Sequence, residues 1–247
     1  MDAYEALAGA YDALTYDIPY ESILTFWQTV LKQEGKKPES VLDLACGTGS
    51  LSVLLAQKGY KVLGCDISEQ MLTEAADKAA ELSENPPYFI RQRMQDLFLP
   101  YPVDWIVCCL DGINYLTEPE DCKKTFRRCF ENLNPGGILT FDINSAGKLR
   151  ALDGQVWLDE NEDTYCVWRT EFDETENICY YGVDLFTREG KKWARSFEEH
   201  RQYAYSVRQL TEYLREAGFT GIRLCGDLTT QAPNEKTQRI FVAAIKE

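Results

Sequence analysis

The chain has 247 residues and a formal net charge of −14, with 45% hydrophobic and 27% charged residues. This length suits one α/β domain with an insertion better than two equal domains, and the acidic charge, unrelieved by a basic stripe, disfavours a nucleic-acid partner. No segment approaches the roughly 20 consecutive apolar residues of a membrane span, and the first residues do not resemble a secretory signal, so we expect a cytoplasmic protein without a membrane partner.

The segment before residue 40 is predicted to be helical. Two stretches, Tyr4–Tyr20 and Ile23–Lys32, have the patterning of helices that lie over a domain. We therefore assign residues 1–36 to an N-terminal helical cap.

From residue 40 onward, short apolar runs alternate with amphipathic helical stretches, which is the pattern of a parallel sheet covered by helices. The predicted strands are Ser40–Cys46, Tyr60–Cys65, Tyr88–Arg93, Val103–Leu110 and Ile138–Ile143. The predicted helices are Leu51–Gly59, Glu69–Leu82 and Pro119–Leu133.

The pattern changes after Asn144. Residues from about 155 to 205 are rich in Tyr, Trp, Phe and Thr with partial alternation, which predicts three or four antiparallel strands. The α/β order then resumes with a helix at Val207–Ala217 and strands at Phe219–Leu224 and Thr237–Ile245. Residues 37–145 and 206–247 would thus form the main domain, and residues 146–205 an antiparallel β lid inserted after the fifth strand.

The strongest signal for function is the run from Val41 to Gly49 (VLDLACGTG), a strand that leads directly into a glycine turn and then a helix. Glycines at such a junction let the backbone approach a ligand closely. Nineteen residues after Gly47, at the end of the second predicted strand, Asp66 is spaced to accept hydrogen bonds from ribose hydroxyls. The arrangement indicates a nucleotide-like ligand.

Two ligand classes use this arrangement, and nearby residues discriminate between them. A dinucleotide fingerprint would place Gly or Ala at position 52, where this chain has Ser52, and would not need a carboxylate at Asp43. An acidic group there suits a ligand that carries an ammonium or sulfonium charge and no phosphate. These residues favour S-adenosylmethionine (SAM) over NAD.

The segment resembles motif I of the class I SAM-dependent methyltransferases, acidic-x-x-x-Gly-x-Gly. Further segments match that family's order: Asp66-Ile67-Ser68 with Met71 resemble motif II, Gln95-Asp96-Leu97 the segment beside adenine, and Cys109-Leu110-Asp111 motif IV. The resemblance is close over residues 38 to 145 and looser in the C-terminal part. It implies a Rossmann-like fold, a seven-stranded, mostly parallel sheet with helices on both faces.

The resemblance also implies which residues bind SAM and its product, S-adenosylhomocysteine (SAH). Asp43 and the backbone of Gly47, Thr48 and Gly49 would hold the methionine moiety, and Asp66 the ribose. Ile67 and Met71 would sandwich adenine, and Asp96 would accept a hydrogen bond from its amine. Tyr11, Ala45, Gln95, Leu97 and Leu110 complete the implied set. Core packing of Met71 and turn capping by Asp96 are the open alternatives.

Methyl transfer from a sulfonium is an in-line displacement in which the protein aligns the acceptor and excludes water, so a base is optional. Ligands of open α/β sheets bind outside the carboxyl ends of the strands. Asp111, Asn114 and Tyr115 follow the fourth strand, and we expect them to meet the acceptor, with Asp111 and Asn114 as candidate catalytic residues.

The last strand of the predicted lid contains the single histidine, His200. Strand alternation places Glu198, His200 and Gln202 on one face. If that face lines the pocket, His200 is a third candidate catalytic residue, as a base near neutral pH. A structural or surface histidine is the alternative.

The chain is thus predicted to methylate an N or O atom of a small molecule. Its Leu110-Asp111-Gly112-Ile113 segment lacks the Asn/Asp-Pro-Pro-Tyr/Phe of the amide- and base-methylating branches, and the layout is similar to small-molecule and YqeM-like bacterial methyltransferases. A non-catalytic SAM-binding protein that acts through a partner and, less favoured, an NAD-dependent oxidoreductase are the alternatives. We expect a monomer or homodimer without a metal site, since the nine cysteines form no Cys-x-x-Cys pair.

Overall fold

The computed structural model describes residues 11, 12 and 14–247. Residues 4–10 and 13 of the predicted Tyr4–Tyr20 helix lie outside them. Tyr11, Asp12 and Leu14 are helical, but residues 15–19 form a bend and turn, so a single helix reaching Tyr20 is wrong. The helix predicted at Ile23–Lys32 is confirmed as α1, Tyr20–Gln33.

The main domain alternates strands and helices as predicted. Its first half contains β1 (Ser40–Leu44), α2 (Ser50–Gln57), β2 (Lys61–Asp66), α3 (Glu69–Ala80), β3 (Tyr88–Arg91) and β4 (Val103–Cys108). Then follow α4 (Pro119–Glu131), β5 (Leu133–Asn144), α5 (Ala146–Ala151), α6 (Val207–Ala217), β10 (Thr220–Gly226) and β11 (Arg239–Ile245). Short 3-10 turns cover Met94–Asp96 and Gly112–Tyr115.

The seven strands of the main domain form one sheet in the order β10-β11-β5-β4-β1-β2-β3. The five strands β5, β4, β1, β2 and β3 are all parallel to one another, whereas β11 runs antiparallel to both β5 and β10. The predicted seven-stranded, mostly parallel sheet is therefore confirmed. Because chain order reverses between β1 and β4, a crevice opens at the carboxyl ends of these two strands.

Helices cover both faces of this sheet, and so its central strands are apolar on both sides. On one face, Val41 and Trp105 pack with residues of α1 and α2 such as Trp27. On the other face, Leu42 packs with residues of α4 and α6 such as Phe126. Because helices pack on both faces of the sheet, the strands cannot shift, and their ends keep their positions around the crevice.

The largest difference from the predicted strand boundaries is at β5. The strand predicted at Ile138–Ile143 begins five residues earlier, at Leu133, and includes the Asn134-Pro135-Gly136-Gly137 segment. Gly136 has φ 80°, and the β4–β5 register shifts between Val103 and Trp105. Gly136 N still donates to Lys246 O, so the glycine segment is an irregularity within the ladder.

The insertion after β5 is a separate four-stranded antiparallel sheet, here called the small sheet, in the order β6-β7-β8-β9. Its strands are β6 (Val156–Glu160), β7 (Thr164–Asp173), β8 (Ile178–Glu189) and β9 (Lys192–Tyr203). Glu198, His200 and Gln202 are all buried on one face of β9, as the alternation predicts. Within the described residues, no helix is long and apolar enough to cross a membrane.

Candidate active site

A cavity of about 160 Å³ lies in the crevice at the carboxyl ends of β1, β2 and β4, and is called the cofactor cavity below. The predicted cofactor residues that line it are Tyr11, Asp43, Ala45, Gly47, Thr48, Asp66, Ile67, Met71 and Leu110. The cavity is also lined by residues that were not predicted as cofactor contacts, among them Tyr20, Cys46, Leu51, Met94 and Cys109. Most of these are apolar residues in runs that the sequence marks only as core.

The glycine turn after β1 shapes one wall of the cofactor cavity. Gly47 has φ 53°, and a Cβ added there would meet no atom within 4 Å, so this side is open. Gly49 has φ 72°, but a Cβ there would lie 2.8 Å from Ala75 Cβ on α3. Gly49 does not line the cavity, and its place in the motif is explained by close packing of α2 on α3.

Asp66 ties this turn to the end of β2. Its Oδ2 accepts a hydrogen bond from Gly47 N at 2.9 Å, and its Oδ1 accepts one from Ser68 N at 2.9 Å. Burial raises the pKa of Asp66. Each carboxylate oxygen has a further lone pair, so Asp66 can hold the turn and still accept hydrogen bonds from a diol in the cavity.

Asp43 is buried at the floor of the cofactor cavity, with 2% of its surface exposed. Burial raises its pKa to about 7, although the hydroxyl of Ser52, which donates to Asp43 Oδ2 at 2.6 Å, opposes the shift. Ser52, which departs from the dinucleotide-binding pattern, is thus the hydrogen-bond donor to Asp43, the acidic residue of motif I. A cationic ligand would stabilise this ionised carboxylate.

The two residues predicted to sandwich adenine both reach the cofactor cavity. Ile67 is 39% exposed, whereas Met71, on the first turn of α3, is buried. Both side chains line the cavity, so Met71 is not solely a core residue.

The predicted segment Gln95-Asp96-Leu97 is not brought to the cofactor cavity. Gln95 Nε2 donates to Asp121 Oδ2 at 3.2 Å, and Asp96 pairs with Lys124 at 2.7 Å, both toward α4. Leu97 is fully buried in the core. The 3-10 turn directs these side chains away from the crevice, and we correct the prediction for all three.

The loop after β4 separates the cofactor cavity from a second one. Leu110 and Asp111 have left-handed backbones, with φ of 59° and 57°. Asp142 on β5 accepts hydrogen bonds from both backbone N–H groups, at 2.9 and 3.1 Å. Arg239 on β11 pairs with both Asp111 and Asp142. Burial raises the pKa of Asp142, and the charge of Arg239 opposes that shift.

The second cavity, about 260 Å³, lies between this loop and the small sheet, and is called the acceptor cavity below. Tyr11 and Tyr115 line both cavities, so the two adjoin there. The acceptor cavity is further lined by Asp111, Asn144, Lys148, Trp157, Trp168, Tyr181, His200 and Gln202. The structure therefore brings two predicted catalytic residues, Asp111 and His200, to one cavity.

His200 is almost completely buried at this site. Its Nε2 lies 3.2 Å from Oε2 of Glu198, which is also buried. The ring of Tyr115 meets the imidazole edge to face, with centroids 6.1 Å apart. The two side chains are thus placed for direct contact at the wall of the acceptor cavity.

Asn114, the third predicted catalytic residue, lines neither cavity. It is fully buried, and its Nδ2 donates to Asn144 O and Tyr203 O at 3.2 and 3.0 Å. Its Oδ1 accepts from Asn144 N at 3.0 Å. The prediction that Asn114 meets the acceptor is wrong: its amide joins the ends of β5 and β9.

All nine cysteines are free thiols, and eight of them are buried. Across residues 11, 12 and 14–247, no group of three or more His, Cys, Asp or Glu side chains is arranged to hold a metal ion. The thiols therefore act as small apolar side chains in the core.

Comparisons with known proteins agree with this geometry. Residues 41–137 match the family described as a methyltransferase domain. The chain is 33% identical to the putative methyltransferase YqeM of Bacillus subtilis over 98% of this chain and 97% of the relative. A SAM-dependent methyltransferase from Clostridium acetobutylicum superposes with a TM-score of 0.87 at 28% identity, covering 99% of both chains.

A more distant structure, the sugar N-methyltransferase KedS8 of Streptoalloteichus, has a TM-score of 0.79 at 19% identity, covering 100% of this chain and 96% of the other. That similarity extends to the fold alone. Motif I, the sheet order and the full-length relatives together show that this chain belongs to the class I SAM-dependent methyltransferases and is similar to their YqeM-like members.

Proposed function

We propose that the enzyme transfers the methyl group of SAM to an N or O atom of a small molecule held in the acceptor cavity. The observation that carries this proposal is that two cavities adjoin at Tyr11 and Tyr115. The acceptor cavity is lined on one side by the small sheet and has a volume of about 260 Å³, which suits a small molecule.

The cofactor cavity supports a specific placement of SAM. The methionine end would lie against Gly47 and Thr48, with its ammonium group toward the buried Asp43. The ribose hydroxyls would donate to Asp66, and adenine would lie against Ile67 and Met71. SAM supplies an electrophilic methyl carbon, and this placement would aim it at the acceptor cavity.

On the acceptor side, we propose that His200 accepts the proton that the acceptor loses, and that Glu198 stabilises the imidazolium so formed. Asp111 would orient the acceptor, because its carboxylate lines the cavity and is held in place by Arg239 and Gln202.

Radiolabelled SAM and bacterial metabolite extracts test the proposal. We expect the label in a product of drug-like size or smaller, the class of ligand that a cavity of this kind holds. We expect His200→Gln to lower turnover with an unchanged Kd for SAH, whereas Arg201→Gln, on the outward face of the same strand, leaves both unchanged. SAM binding without transfer to any extract component would favour the non-catalytic alternative, and label found only in macromolecules would refute a small acceptor.

A further inference from the structure

Lys148 on α5 places a half-buried ammonium group at the acceptor cavity. Its Nζ donates to Asn144 Oδ1 at 2.8 Å, and burial lowers its pKa. Among the described residues, Lys148 takes part in no salt bridge, so its direct partner is a neutral amide. An ammonium whose direct partner is one amide oxygen retains two N–H donors for an anion.

Three carboxylates act on Lys148 electrostatically, those of Asp111, Asp142 and Asp227, and all three already accept other hydrogen bonds, Asp227 from the backbone N–H groups of Gln238 and Arg239. Asp111 accepts hydrogen bonds from Arg239 and Gln202. Asp142 accepts from two backbone N–H groups and pairs with Arg239. Since these carboxylates are engaged with other donors, the anionic group of a ligand can pair with Lys148 directly.

Aromatic rings form the wall of the acceptor cavity next to the small sheet. The rings of Trp157 and Trp168 are nearly parallel, with an interplanar angle of 8° and centroids 6.0 Å apart. Tyr181 meets Trp157 edge to face at 6.4 Å. Such a wall suits a planar ring, and it would also attract a cation, but the charge of Lys148 in the same small cavity opposes a cation.

The proposed base also bears on whether the acceptor atom is nitrogen or oxygen. A nitrogen acceptor attacks with its own lone pair, whereas a hydroxyl must lose its proton as it is methylated. The buried pair of His200 and Glu198, 3.2 Å apart, is suited to take that proton.

We infer, building on the proposed function, that the acceptor is a small hydroxylated aromatic acid whose carboxylate binds Lys148 and whose hydroxyl faces His200. In the reaction, the phenolic oxygen forms a bond to the methyl carbon as the carbon–sulfur bond breaks. The electron pair of that bond stays on sulfur, which becomes a neutral thioether. The phenolic proton passes to the imidazole of His200, beside Glu198.

Isothermal titration calorimetry on the full chain saturated with SAH, which carries no transferable methyl group, tests this inference. Three probes share one ring and one phenol: 4-hydroxybenzoate, 4-hydroxybenzyl alcohol and 4-hydroxybenzylamine. We expect the carboxylate to bind about tenfold more tightly than the alcohol, because it adds a charge-assisted hydrogen bond, and the amine to bind most weakly. Lys148→Gln should abolish this preference and Lys148→Arg should keep it.

The matched control is Lys191→Gln, which removes the same charge from the exposed β8–β9 turn and should leave the preference unchanged. Tighter or equal binding of the alcohol or the amine, binding of none of the three probes, or a preference that survives Lys148→Gln overturns the inference. If Lys148→Gln does not fold, the three wild-type affinities still decide. Failure of the wild type to bind SAH would instead overturn the proposed cofactor site.

Discussion

One methyl group added to the glycine turn should have different effects at two positions. At Gly49 it should mainly lower thermal stability, and at Gly47 it should mainly weaken ligand binding. In Gly49→Ala, the new Cβ would lie 2.8 Å from Ala75 Cβ and 3.2 Å from Ala75 Cα, so helix α3 itself would have to move. A left-handed residue costs about 1–2 kcal/mol, and overpacking adds about 1–3 kcal/mol. The sum, roughly 2–5 kcal/mol, lowers Tm by roughly 4–20 °C at about 2–4 °C per kcal/mol.

Gly47→Ala is the matched comparison, because φ is 53° but the new Cβ would meet no atom within 4 Å. Only the left-handed cost of about 1–2 kcal/mol remains, or roughly 2–8 °C in Tm. The methyl group would instead protrude at the cofactor cavity, so we expect weaker SAH binding. Thermal unfolding and titration calorimetry measure both effects. The reasoning fails if Gly49→Ala loses no more Tm than Gly47→Ala, or if Gly47→Ala binds SAH as tightly as the wild type.

Three further predictions concern charged groups. Asp66→Ala should weaken SAH binding by about 1–3 kcal/mol, and an unchanged Kd would contradict its contact with ribose. Because burial raises the pKa of Asp43 to about 7, its ionised fraction falls about tenfold from pH 8 to pH 6, and SAM affinity should fall with it. Asp43→Asn should bind weakly with little pH dependence over that range. Arg239→Met should lower the free energy of unfolding by about 3–5 kcal/mol at pH 8, and by less at pH 5, because burial favours protonation of Asp142 once Arg239 no longer pairs with it. An equal loss at both pH values would count against their pairing.

The fold and the cofactor turn were predictable because their signals are local. An apolar run followed by glycines specifies a strand and a turn that approaches a ligand, and the spacing to Asp66 follows from one strand–helix–strand unit. The alternation in β9 likewise predicted that Glu198 and His200 share one face of the strand. The structure shows that this face is buried.

The failures arise where orientation depends on contacts distant in sequence. Asp96 ends a 3-10 turn, and its carboxylate pairs with Lys124 on α4, 28 residues away. Arg239 opens an apolar strand with no motif around it, and its partner Asp111 lies 128 residues earlier. Asn114 follows motif IV as a ligand-facing residue would, but one turn of the 3-10 helix directs its amide into the core.

The alignment of the two cavities depends on the main sheet more than on the small sheet. Leu110 lines the cofactor cavity and Asp111 lines the acceptor cavity, so two consecutive residues form the divider. Their left-handed backbones cost about 1–3 kcal/mol each and persist only where the surroundings hold them. Those surroundings are Asp142 on β5 and Arg239 on β11 in the main sheet, with one contribution from the small sheet, the amide of Gln202 on β9. The rest of the small sheet can therefore vary to fit different acceptors while the divider remains fixed, as an in-line transfer requires.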